Sequence, residues 1–128
     1  MLEVRDVAIA IVPELNAEGE NEWIVYFINM KNYALDAVLI NAEGKGIIDG
    51  EERRTAVMRF FIDKAEPCSA KKLEILMPEA FVLNNQYWVS FYEGPNICDK
   101  KFVFDANTID EANLVSVPLI NRPGIYVK

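Results

Sequence analysis

The sequence predicts an all-β protein, an antiparallel β-sandwich of seven or eight strands with an immunoglobulin-like or fibronectin type III-like layout. Val and Ile together number 25 against only 9 Leu, and aromatic residues make up 11% of the chain. Such side chains suit a pleated sheet and lose rotamer freedom in helices. Short apolar or alternating segments also recur between clusters of Gly, Pro, Asn and Asp. A small closed barrel is the alternative, because periodicity alone does not separate the two.

Eight segments have the composition and alternation of strands. They cover residues 7–12, 23–28, 36–42, 54–63, 72–77, 87–93, 98–105 and 125–128. The cluster Gly94, Pro95 and Asn96 is short enough to join its two neighbouring strands as an antiparallel hairpin. The alternation within the strands predicts which large side chains enter the core. These are Leu73, Ile75, Phe91, Phe102 and Phe104.

Two other local signals concern turns and helix. Gly44, Gly46 and Gly50 are predicted to supply the positive φ angles of consecutive turns. Their spacing, G-x-G-x-x-x-G, does not match a nucleotide-binding loop, and a strand follows them rather than a helix. Thr108 and Glu111 fit a capping box, which predicts at most one short helix, near residues 109–115.

The composition excludes many functions. The chain has 128 residues, 52% of them apolar, and a net charge of -7, which predicts one globular domain over residues 1–128. It contains no histidine, which excludes Ser/His/Asp and Cys/His catalysis and imidazole metal ligands. We therefore expect no catalytic residue, no metal site and no cofactor.

The sequence also bears on location and partners. The start, from Met1 to Asp6, lacks a secretory signal, and the longest apolar runs are six residues, so we expect a cytoplasmic protein with no membrane partner. Cys68 and Cys98 match neither a zinc motif nor a disulfide framework. The acidic balance argues against nucleic-acid binding, although residues 53–101 carry a local net charge of +2.

The strand over residues 23–28 has large apolar groups on both faces. Either another part of the chain covers its outer face, or that face contacts a second chain. If the strand near residue 90 lies in the same sheet, it adds aromatic groups to this face. The predicted interaction surface is Ile24, Tyr26, Ile28, Trp88 and Tyr92. A homodimer or another protein partner is the expected consequence.

Three stretches carry a resemblance to a known family. They are YFINMKNYALDAVLINAEGKGIIDGEERRT (residues 26–55), FVLNNQYWVSFYEG (residues 81–94) and DKKFVFDANTI (residues 99–109). They resemble a family of small uncharacterised bacterial proteins, some of which are labelled phenylalanyl-tRNA synthetase alpha subunit. This sequence does not support that label, because 128 residues are too few for a class II synthetase catalytic domain. The resemblance implies a single domain and no particular activity.

Together these observations predict a non-catalytic protein-interaction module, and not an enzyme. The alternative is a small enzyme or ligand-binding protein of an unrecognised type. A deep pocket with converging acidic, basic or tyrosine side chains would favour that alternative.

Overall fold

The computed structural model describes residues 4–128, and it forms two antiparallel sheets of five strands each. The strands are β1 (Val7–Leu15), β2 (Asn21–Asn29), β3 (Leu35–Ile48), β4 (Glu51–Arg54), β5 (Met58–Ala65), β6 (Ser69–Leu76), β7 (Asn84–Glu93), β8 (Asn96–Phe104), β9 (Val115–Ser116) and β10 (Pro123–Val127). Two single 3-10 turns, Pro78–Ala80 and Glu111–Asn113, are the helical elements of this part of the chain. The all-β prediction is confirmed.

The two sheets are separate, so the architecture is a sandwich rather than a closed barrel. The first sheet has the order β6-β2-β1-β10-β9. In the second sheet β3, β7 and β8 pair in that order, and both β4 and β5 pair with the other edge of β3. The described chain has ten strands instead of seven or eight, because β4 and the two-residue β9 were not predicted.

The main core lies between the sheets and contains the aromatic residues that the sequence placed there. Phe91, Phe102 and Phe104 are all buried. The predicted hairpin is confirmed, because β7 and β8 pair continuously from Glu93 with Asn96 at the turn to Asn85 with Phe104. Gly94 supplies the positive φ of that turn, at 61°. The local turn signal and the alternation around it therefore fixed the register correctly.

The core prediction for Ile75 is wrong. The pairing of β6 with β2 shifts by one residue at Leu73, which forms a β-bulge. A bulge of one residue reverses the inward and outward positions on one side of it. Leu73 is half-buried against the core, Glu74 and Leu76 turn inwards, and Ile75 is 47% exposed.

The prediction of consecutive glycine turns is also wrong. Gly44 and Gly46 lie inside β3, and among the glycines of this region only Gly50 has a positive φ, beside Asp49 in the turn. A Cβ atom on Gly44 would lie 3.0 Å from Oδ1 of Asn85. These strand glycines therefore allow close packing by another segment rather than a change of chain direction.

The predicted capping box does not form. The helical element in this region is the single turn Glu111–Asn113, and its N-cap is Asp110, whose carboxylate accepts a hydrogen bond from the Ala112 amide at 2.8 Å. The Thr108 hydroxyl instead donates to the carbonyl oxygen of Asp105 at 2.6 Å. The aspartate directly precedes the turn, two residues closer than Thr108, and satisfies its free amide.

A second, smaller hydrophobic cluster covers the outer face of the first sheet. The turn over residues 117–122 folds onto this face, where Val117 is fully buried and Ile120 packs beside it. The sheet side chains of this cluster, against which Met30 and Tyr126 also pack, are Ala8, Ala10, Val12, Ile24, Tyr26 and Ile28. The first sheet is therefore apolar on both faces because the chain covers both of them. No helix within residues 4–128 is long and apolar enough to cross a membrane.

Candidate functional site

The structure divides the five predicted surface residues between the two sheets. Ile24, Tyr26 and Ile28 lie on β2 and are buried in the hydrophobic cluster on the outer face of the first sheet, which includes Val117. Trp88 and Tyr92 lie on β7 in the second sheet and are 51% and 47% exposed. The expected common face does not exist, because β2 and β7 belong to different sheets.

A polar cluster around Glu14 links the covering turn to the first sheet. The Tyr26 hydroxyl donates a hydrogen bond to Glu14, whose other carboxylate oxygen lies 3.2 Å from Arg122 and 3.6 Å from Lys72. Burial, together with the hydrogen bond to Glu14, raises the pKa of Tyr26 to about 12. Arg122 belongs to the covering turn, so the cluster fastens that turn to β1 and β2. We therefore assign Tyr26 to the packing of the first sheet.

The exposed aromatic residues belong to a larger apolar area on the outer face of the second sheet, which we call the Trp88 face. Its apolar members are Leu39, Phe61, Trp88, Tyr92 and Ile97. In the sheet register, Leu39 lies opposite Phe61, and Tyr92 lies opposite Ile97. Phe61 is 64% exposed. Sequence reasoning missed three of the five members because alternation identifies an outer face without showing which strands share it.

Polar and cationic groups surround Trp88. Asn41 and Lys101 are its register partners on the two sides, and Arg59 lies beyond Asn41. The ammonium group of Lys101 lies 5.8 Å from the Trp88 ring centroid, a cation–π distance. A shallow depression of about 260 Å³ lies beside the ring, lined in part by Asn41 and Arg59. Oδ1 of Asn41 is buried and has no hydrogen-bond partner within residues 4–128. The depression therefore has an unused acceptor in its lining.

A larger cavity, of about 400 Å³, opens between the two sheets where β6 and β7 meet the middle of β3. We call it the Glu74 cavity. Its buried walls are mainly apolar, with Leu76, Leu83 and Tyr87 among them, and Ala56 and Met77 lie at its exposed rim. This volume is in the range of small-molecule sites.

Glu74 and Tyr87 are the polar pair inside the cavity. The Tyr87 hydroxyl lies 3.4 Å from Oε2 of Glu74 and donates a weak hydrogen bond to it. Burial raises the pKa of Glu74, and the Tyr87 hydrogen bond offsets part of that change. Burial also raises the pKa of Tyr87. The sequence did not reveal the pair, because Glu74 stands in an alternating strand that predicts an exposed carboxylate and only the bulge turns it inwards.

Other chemical groups do not converge on a site. No group of three or more His, Cys, Asp and Glu side chains within residues 4–128 is arranged to hold a metal ion. Both cysteines are free thiols, Cys68 exposed and Cys98 buried, and burial raises the pKa of Cys98. The basic residues between positions 53 and 101 are divided among β4, β5, β6 and β8.

Comparison with known proteins gives no information on the function of this protein. No family model, no curated protein and no solved structure matches the chain. The resemblance described under sequence analysis therefore stays a prediction.

Proposed function

We propose that this protein is a non-catalytic protein-interaction module, that its contact surface is the Trp88 face, and that it binds a second copy of itself. The observation that carries the proposal is the half-exposed Trp88 ring on β7, which has β3 on one side and β8 on the other. Exposed apolar groups gathered in one area mark contact surfaces more often than isolated ones do. Trp, Tyr and Arg are also the residue types that contribute most to binding energy at protein interfaces.

The charges on the Trp88 face suit a self-complementary contact. Arg59 and Lys101 are exposed there together with Asp63 and Asp99, so both signs alternate across the same face. A two-fold axis through the face would oppose cations of one copy to carboxylates of the other, as an isologous contact requires.

The composition supports the non-catalytic part of the proposal. The chain contains no histidine, which is the side chain most often used as a general acid or base in enzymes.

The strand order supports a fibronectin type III-like layout for the module. β1, β2 and β6 are neighbours in one sheet, while β3, β7 and β8 are neighbours in the other. This division resembles the two sheets of immunoglobulin-like sandwiches. We further propose a cytoplasmic location, which the two free thiols support, because reduced cysteines are typical of that compartment.

Analytical ultracentrifugation tests the proposed contact. We expect the wild type to form a dimer at tens of micromolar. Trp88→Ala should weaken dimerisation by about 2 kcal/mol or more, which is about 30-fold in affinity. Truncating a large aromatic side chain at a protein interface has an effect of this size. Leu15→Ala is the matched control, because Leu15 is exposed but lies away from the Trp88 face. A monomeric wild type, or equal weakening by both variants, would refute the proposed self-contact.

A further inference from the structure

We propose that the Glu74 cavity is a second binding site, independent of the Trp88 face, and that its ligand is an amphiphilic amine. The ammonium group would lie against the Glu74 carboxylate, and the apolar part would lie along Leu76, Met77 and Leu83. Volume, lining and charge each narrow the chemical class of the ligand.

The shape and lining require a ligand with an apolar body. The half-open cavity has a volume of about 400 Å³, and much of its wall consists of Ala, Leu and Met side chains. Leu76, Ala80 and Leu83 form buried wall, whereas Met58 and Met77 are exposed near the opening. Methionine side chains adapt to ligands of different outline, so the entrance suits a flexible chain. Burying such a chain is favourable in proportion to its apolar area.

The charge inside the cavity selects a cation. The lining includes Glu74 and, at its exposed rim, Glu79, and it includes no lysine or arginine from the described residues. Glu74 is the carboxylate drawn inwards by the bulge, and within residues 4–128 it forms no ion pair. An anionic ligand would meet repulsion here, and an uncharged one would leave the buried carboxylate without a counter-charge.

The hydrogen bonds of Glu74 leave room for an ammonium group. A carboxylate offers about four acceptor positions, and Tyr87 uses one of them at 3.4 Å. An ammonium group brings three donors and a full positive charge to the remaining positions. Because burial raises the pKa of Glu74, a bound cation would lower it again towards its ordinary value.

Isothermal titration calorimetry with three probes of equal chain length tests the proposal. The probes are octylamine, octan-1-ol and octanoate, at neutral pH and physiological salt. We expect octylamine to bind at least tenfold more tightly than octan-1-ol, and octanoate not to bind. Glu74→Gln should remove the preference for octylamine and leave the affinity for octan-1-ol unchanged, because the substitution keeps the shape and removes the charge.

Matched variants separate the cavity from the acidic surface of the protein. Glu18→Gln changes the net charge by the same amount at an exposed loop position, and it should leave octylamine binding unchanged. Ala56→Trp fills the exposed rim and should abolish the binding of both octylamine and octan-1-ol. Carbon-detected NMR of the Glu74 carboxyl should show its pKa falling when octylamine saturates the site.

Three results would overturn the proposal. The first is equal affinity for octylamine and octan-1-ol in the wild type. The second is octylamine binding that survives Ala56→Trp, which would place the amine elsewhere on the protein. The third is an equal loss of affinity in Glu18→Gln and Glu74→Gln, which would show attraction by net charge alone. Thermal unfolding of each variant confirms that it is folded before its affinity is compared.

Discussion

Gly124→Ala should destabilise the protein by a steric effect confined to one place in the first sheet. Gly124 lies on β10, under the covering turn, and a Cβ atom there would lie 2.7 Å from Cγ2 of Val117 and 2.9 Å from Cγ2 of Val12. Carbon atoms pack best at about 3.5 to 4.0 Å, so both contacts are too short by more than half an ångström. The carbonyl oxygen of Ile11 would lie at 3.0 Å.

None of these three neighbours can move away easily. Val12 and Val117 are fully buried and β-branched, so each has few alternative rotamers. The carbonyl oxygen of Ile11 belongs to the backbone of β1 in the middle of the first sheet, where Ile11 pairs with Ile125 of β10. Overpacking of this kind costs about 1 to 3 kcal/mol, from which the lower chain entropy of alanine in the unfolded state subtracts up to about 1 kcal/mol. We expect a net loss of about 2 kcal/mol.

Urea unfolding followed by circular dichroism measures the effect, with Gly46→Ala as the control. Gly46 is also a strand glycine, but the nearest atom to its Cβ position is a Leu83 methyl at 3.3 Å, and the next is 3.7 Å away. The free energy of unfolding of Gly46→Ala should stay within about 0.5 kcal/mol of the wild-type value. Combining Gly124→Ala with Val117→Ala should cost less than the sum of the single changes, because the second removes the closest contact. A loss below about 0.5 kcal/mol for Gly124→Ala, or strict additivity in the double variant, would refute this reasoning.

Two further predictions concern stability. Phe102→Ala should cost about 3 to 5 kcal/mol, because the ring is fully buried and leaves a cavity, whereas Leu15→Ala should cost less than about 0.5 kcal/mol at its exposed position away from the Trp88 face; urea unfolding distinguishes them. The raised pKa of Tyr26 contributes stability that is complete below the ordinary value of 10.0 and is lost as the pH rises through about 12. Wild-type stability should therefore fall relative to Tyr26→Phe between pH 10 and 12, and parallel unfolding curves for the two proteins in that range would contradict the assignment.

The sequence was sufficient where the deciding interactions are local. The β7–β8 hairpin follows from Gly94, Pro95 and the alternation on both sides, and its register places Phe102 and Phe104 in the core. The β-rich composition likewise predicts the sandwich, because propensity summed over many short segments is informative even where single positions are not.

The sequence was insufficient where the deciding neighbour lies elsewhere in the chain. The exposure of Ile75 depends on a bulge that only the pairing of β6 with β2 creates. Gly44 continues a strand instead of starting a turn because Asn85 packs against it. Trp88 and Tyr92 are exposed, but alternation does not specify which sheet a strand joins, so the sequence grouped them with β2. The Glu74 cavity forms only where β3, β6 and β7 come together, and a local sequence pattern does not predict which distant strands become neighbours.

The pairing of β1 with β10 has a consequence for the synthesis of the protein. Ile9 lies opposite Val127, so the centre of the first sheet closes only after almost the whole described chain has left the ribosome. Until then the β1–β2 hairpin exposes apolar side chains on both faces, without the covering turn. Long-range strand pairing is slow, and unpaired apolar strands aggregate readily. The nascent chain should therefore depend on chaperones for longer than a sandwich whose sheets close in sequence order.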